Sequence, residues 1–117
     1  MCLFATWHSR FAPHVQEAKE WAAQQEIVSG QITWRENVEK WHPGQDWIWR
    51  EGGFGVFDPG MNALSLLTQI VPAPWSLGQA ELKIPTNVQT PSCARFTLNH
   101  RSTEVRAHFE FHDRQDD

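Results

Sequence analysis

The sequence predicts an α+β fold: an open, mostly antiparallel sheet with two helices packed on one face, incomplete at both ends. Two stretches of helical period, 13–24 and 55–71, are interleaved with early stretches of period two. Three further period-two stretches then follow one another between residues 80 and 111 with no helix between them, the order of an α+β sheet. An apolar run also starts directly after Met1, and the chain stops at Asp117 just past a strand, without a closing helix.

Cys2-Leu3-Phe4-Ala5-Thr6-Trp7 reads as a short strand, and its place beside the initiator methionine points to missing sequence in front of it. Pro13 suits a first helical position. Phe11, Val15, Ala18 and Ala22 fall on one helical stripe, so a helix is expected over about Pro13–Gln24. Between 27 and 36, Val28, Ile32 and Trp34 alternate with Ser29, Gln31, Thr33 and Arg35. The same period puts Glu36 on the apolar side, where a carboxylate needs a partner or a task.

Residues 37–57 lose periodicity and carry the loop marks Pro43-Gly44 and Gly52-Gly53. The stretch is long and rich in tryptophan and histidine, more than a connector requires. From 55 to 71, Leu64, Leu67 and Val71 repeat at helical spacing, with Asp58 and Asn62 one turn apart on a polar stripe. Ala80, Leu82 and Ile84, then Ala94, Phe96 and Leu98, then Val105, Ala107, Phe109 and Phe111 give three inward strand faces. Asn99–Thr103 reads as the hairpin link between the last two. His108 and His112 are read onto opposite faces of the last strand, so they form no pair.

The chain has 117 residues, enough for one domain, and a formal net charge of -4. No basic stripe is present to displace counterions, so nucleic acid is not an expected partner. No run approaches the ~18 apolar residues of a membrane span. Cys2 and Cys93 form neither a metal spacing nor a disulfide framework. Two idle thiols and the lack of a leader pattern make the cytoplasm the expected location. Tryptophan occurs seven times and tyrosine not at all. Indoles fill cores, and they also stack on sugar rings while offering a directed N–H.

Asp58 either charges a helix N-terminus or, with Asn62, holds neighbouring hydroxyls, the carboxylate accepting and the amide both donating and accepting. His42 is either a surface loop residue or a proton carrier near neutral pH. Glu36 reads as a strand-end salt bridge unless it has a task, and His8 as a strand-end residue directly after the first strand. A metal site from His8, Glu36, His42 and Asp58 lacks compact ligand spacing. No Gly-x-Gly-x-x-Gly fingerprint is present.

Four runs resemble a known family: Leu3-Phe4-Ala5-Thr6-Trp7-His8-Ser9-Arg10-Phe11-Ala12, Ile32-Thr33-Trp34-Arg35-Glu36, the Trp41–Trp49 stretch beginning Trp-His-Pro-Gly-Gln, and Gly52–Ser65 with Gly-Val-Phe-Asp-Pro-Gly-Met-Asn-Ala-Leu. They resemble the C-terminal domain of the glucose–fructose oxidoreductase/inositol dehydrogenase (Gfo/Idh/MocA) family, in its aldose 1-dehydrogenase branch. The resemblance implies oxidation of an aldose pyranose, galactose or arabinose, at C1 to a lactone, with hydride passing to NAD or NADP in the intact enzyme. It implies Asp58 and Asn62 as the catalytic pair, and His8, Glu36, Trp41 and His42 as sugar contacts. Many family members carry histidine where Asn62 stands. The family's Rossmann domain, with its Gly-rich loop and Glu-Lys-Pro motif, is absent from 1–117, so the chain reads as one partial domain. No cofactor and no turnover are expected of it alone. The resemblance also implies a homo-oligomer formed through an exposed apolar sheet face. The alternative is a non-catalytic carbohydrate-binding or oligomerisation module.

Overall fold

Val15 and Ala22, seven residues apart, are buried on one face of the first helix, α1 (Val15–Ala23). A computed structural model describes residues 1–3 and 7–112. Pro13 lies outside α1, because His14 takes a left-handed conformation (φ 68°) at the N-cap. That turn, and the 3₁₀ segment His8–Phe11 before it, take Phe11 off the stripe and leave it 72% exposed. Half of the strand expected at 2–7 lies outside the described residues, and its flanks Cys2, Leu3 and Trp7 belong to no strand.

Four strands follow the expected period: β1 (Ser29–Asn37), β2 (Ser76–Lys83), β3 (Cys93–His100) and β4 (Thr103–His112). They pair in the order β1-β4-β3-β2. β1 lies parallel to β4, while β4–β3 and β3–β2 are antiparallel, so the sheet is open and mostly antiparallel as the sequence implies. The β3–β4 hairpin turns at Arg101-Ser102, where Arg101 has a positive φ of 53°. Val28, expected to face inward, precedes β1 and is exposed.

The stretch 37–57 is not a plain loop. It contains a one-turn helix, α2 (Val38–Trp41), and a 3₁₀ segment, Asp46–Trp49. Ile48 from that segment is fully buried and joins Val56, Ala63, Ala94, Ala107, Phe109 and Phe111 in the core. The tryptophans divide accordingly. Trp34 and Trp49 pack against the core, whereas Trp41 and Trp47 are about half exposed.

The long helix, α3 (Phe57–Ile70), lies on the sheet with Pro59, Gly60 and Ala63 buried. Gly60 meets Phe109: a Cβ there would stand 2.5 Å from that ring. Phe57, Phe96 and Phe109 form edge and tilted ring contacts at 5.4–6.2 Å between centroids. α1 packs on α3 and on the His8–Phe11 turn. The helical layer reaches β3, whose Ala94 is fully buried, and stops short of β2, whose residues are all exposed. Leu82 and Ile84, expected inward, are therefore 51% and 52% exposed.

Among the described residues no helix lies on the opposite face of the sheet, and it is not the apolar face expected for oligomerisation. Cross-strand register gives it rows such as Lys83-Cys93-Glu110-Arg35 and Glu81-Arg95-His108-Thr33. His108 and His112 both lie on this face with Glu110 between them, since residues four apart on a strand share a side. Among the described residues no helix is long and apolar enough to cross a membrane.

Candidate functional site

Glu36 sits near the end of β1 on its half-buried side, opposite Phe111. The next residue, Asn37, is buried, and its Oδ1 accepts from the backbone N–H of Glu39 and Lys40 at 2.9 and 3.1 Å. That cap starts α2, and the single turn ends at His42, whose N–H donates to Val38 O. The chain has thereby reversed, and His42 Nε2 comes within 2.8 Å of Glu36 Oε1. The other carboxylate oxygen of Glu36 accepts from Trp34 Nε1 at 2.9 Å. Gly44, with φ 71°, turns the chain again so that Gln45 Oε1 lies 3.2 Å from His42 Nδ1. The imidazole also touches Phe111 edge-on.

Asp58 enters from the first turn of α3, with its Oδ2 4.0 Å from His42 Nδ1. No side chain caps this helix; Val56 holds the N-cap position, and Asp58 adds negative charge to the first turn. The result is a line of carboxylate, imidazole and carboxylate: Asp58, His42, Glu36. Side-chain exposure is 31%, 17% and 13% in that order, so the line runs from open to enclosed. Such a line can hold a hydroxyl at Asp58 and move its proton inward through the two ring nitrogens.

Asn62, one turn on, is held from another side, its Oδ1 accepting from Ser9 Oγ at 2.7 Å. The 3₁₀ turn carrying Ser9 packs on α3, which brings exposed His8 to the same end of the structure as Asn62. Trp41, beside His42, is 55% exposed with Lys40 Nζ 5.1 Å over its ring. Among the six residues singled out in the sequence, then, Glu36 and His42 bond directly, and Asp58 stands 4.0 Å from His42, beyond a hydrogen bond. Asn62 is fixed by a separate bond, and His8 and Trp41 stand exposed. Trp34, Gln45 and Ser9 complete the bonding without having been singled out. Only the two-residue spacing of Trp34 and Glu36 on one strand face carried a sequence signal. A cavity of about 310 Å³ lies further along α3, lined by Trp7, Arg10, Met61, Leu64, Ser65, Thr68 and Gln69.

The glycine-rich approach to α3 is not a phosphate cradle. Gly53 N–H donates to Arg50 O, Gly55 N–H to Ile48 O, Val56 N–H to Pro91 O and Phe57 N–H to Phe54 O. Gly55, at φ 55°, leaves no room for a side chain: a Cβ would stand 2.4 Å from Pro91 O. These N–H groups are used within the fold, so the loop does not fit a dinucleotide pyrophosphate.

The chain is similar to part of the Gfo/Idh/MocA-type dehydrogenases, on the strength of two similar proteins. It is 47% identical over 102 residues to the galactose 1-dehydrogenase of Pseudomonas fluorescens, which covers 86% of this chain and 33% of that protein. It superposes on the crystal structure of the D-galactose-1-dehydrogenase protein from Rhizobium etli with a TM-score of 0.90 and 46% identity, over 98% of this chain and 37% of that one. No family model matches the chain. It spans about a third of the length of these relatives.

Proposed function

We propose that this chain is the sugar-binding portion of an aldose 1-dehydrogenase that oxidises C1 of galactose or arabinose to the lactone. The observation that carries this reading is the Asp58–His42–Glu36 line at 4.0 and 2.8 Å, opening to solvent at Asp58. Oxidation at C1 removes a hydride from carbon and a proton from the hydroxyl. Asp58 accepts the hydrogen bond of that hydroxyl, and His42 with Glu36 behind it takes up the proton. Asn62, held by Ser9, uses its free amide N–H for a neighbouring hydroxyl, while His8 binds another and Trp41 walls the ring. The hydride acceptor, NAD or NADP, is supplied from outside these residues, since they carry no Gly-x-Gly-x-x-Gly fingerprint. The chain alone therefore binds sugar weakly and turns nothing over. Its two free thiols accord with a cytoplasmic setting.

Calorimetric titration with galactose and arabinose tests the sugar site. Binding by the wild-type chain, weakened about tenfold or more in Asp58→Asn and in His42→Ala, supports it. A folded chain that binds neither sugar, or one that binds equally well without Asp58, refutes it. NADPH formed by this chain alone from either sugar would overturn the claim of inactivity.

A further inference from the structure

Sequence spacing gives the cysteines no ligand partners, but strand register does. Cys93 on β3 stands directly opposite Glu110 on β4, and His108 is two residues before Glu110 on the same face. One ligand atom from each of the three side chains lies within 4.8 Å of the other two, and all three residues are half-buried. His108 Nε2 is buried and has no hydrogen-bond partner among the described residues; its approach to Glu110 Oε2 is 3.6 Å, too long for a bond. A buried ring nitrogen without a partner needs an explanation. A hollow of about 150 Å³ adjoins Cys93 and Glu110, with room for an ion and a water.

We propose that Cys93, His108 and Glu110 form a thiophilic divalent-metal site, suited to Zn²⁺, on the open face of the sheet. Three ligands of S, N and O type leave a fourth tetrahedral position for water. Closing 4.8 Å separations onto one ion takes only side-chain rotation, since the three residues already share a face on adjacent strands. Arg35 Nε binds Glu110 Oε2 at 2.8 Å and so fixes the carboxylate's orientation, as outer partners of metal ligands do. Lys83 and Arg95 stand opposite Cys93 and His108. Their charge opposes any dication, so binding depends on the thiolate, whose charge offsets theirs and whose softness favours Zn²⁺ over Mg²⁺ or Ca²⁺. A free thiol is protonated near neutral pH, and a metal bound there displaces its proton. Binding thus forms Zn–S, Zn–N and Zn–O bonds and releases the thiol proton to buffer, with no change of oxidation state.

Chelator-treated full chain is titrated with zinc chloride by calorimetry in two buffers of different ionisation enthalpy. One equivalent is expected to bind, with about one proton released, and a large excess of Mg²⁺ or Ca²⁺ should not compete. Cys2→Ser should bind as wild type, while Cys93→Ser and His108→Gln weaken binding by at least about 100-fold. Because a Cys93 variant disturbs a half-buried position, Co²⁺ added to Cys2→Ser gives an independent reading. Tetrahedral d–d bands with a thiolate charge-transfer band place Cys93 on the metal. Absence of zinc uptake, a cobalt spectrum without the thiolate band, or unchanged affinity in folded Cys93→Ser overturns the site.

Discussion

Replacing Gly60 by alanine sets two effects of opposite sign against each other. Alanine in a helix interior is favoured over glycine by about 0.5–1 kcal/mol, chiefly because glycine loses more backbone freedom on folding. At Gly60 the new methyl meets Phe109 Cδ2 at 2.5 Å, Cε2 at 2.9 Å and Cγ at 3.1 Å. That ring is fully buried and held by Phe57 and Phe96, so it cannot swing aside as an exposed chain end would. Forcing a methyl into such packing costs about 1–3 kcal/mol. The overlap should win, for a net loss of about 1–2 kcal/mol and a fall in Tm of roughly 4–8 °C for a domain near this size. Thermal unfolding followed by circular dichroism measures it. The cause is isolated by repeating the substitution in Phe109→Ala, where Cγ and the ring beyond it are gone and Gly60→Ala should be neutral or stabilising. A Gly60→Ala chain that melts at or above wild type, or an equal loss in both backgrounds, refutes the account of how α3 seats on β4. The same displacement carries Asp58 away from His42, so sugar binding should fall with stability.

Two further outcomes follow from the same geometry. Asn37→Ala removes the cap of α2 and should cost about 0.5–2 kcal/mol in chemical denaturation; because α2 returns His42 to Glu36, it should weaken sugar binding more than Asn37→Ser, which keeps a capping oxygen. Leu82→Lys, on the helix side of β2 but beyond the edge of the helical layer, should change stability by no more than about 0.5 kcal/mol and raise solubility, and a loss above 2 kcal/mol would mean that this edge is covered.

The fold was legible wherever side chains alternate. Ile32 and Trp34 in β1, Ala94 and Phe96 in β3, and Val105 to Phe111 in β4 face the core as their period requires. Period alone does not report what covers a face. Leu82 and Ile84 carry the right alternation and remain half exposed, because the helical layer ends above β3. The candidate site was legible for a related reason. Glu36 stood out as a carboxylate on an apolar strand face, and Asp58 with Asn62 as a polar stripe on an apolar helix. The capped turn that returns His42 to Glu36 left no periodic trace, since four residues are too few to repeat. Cross-strand neighbours were invisible in the same way. Cys93 and Glu110 are 17 residues apart along the chain, and only antiparallel register makes them adjacent. Both clusters therefore arise from one property of this architecture. Pairing across strands and reversal at strand ends bring distant polar residues together, and in both places a buried or half-buried polar atom is what betrays the meeting: Glu36 beside Trp34 and His42, and His108 beside Cys93 and Glu110.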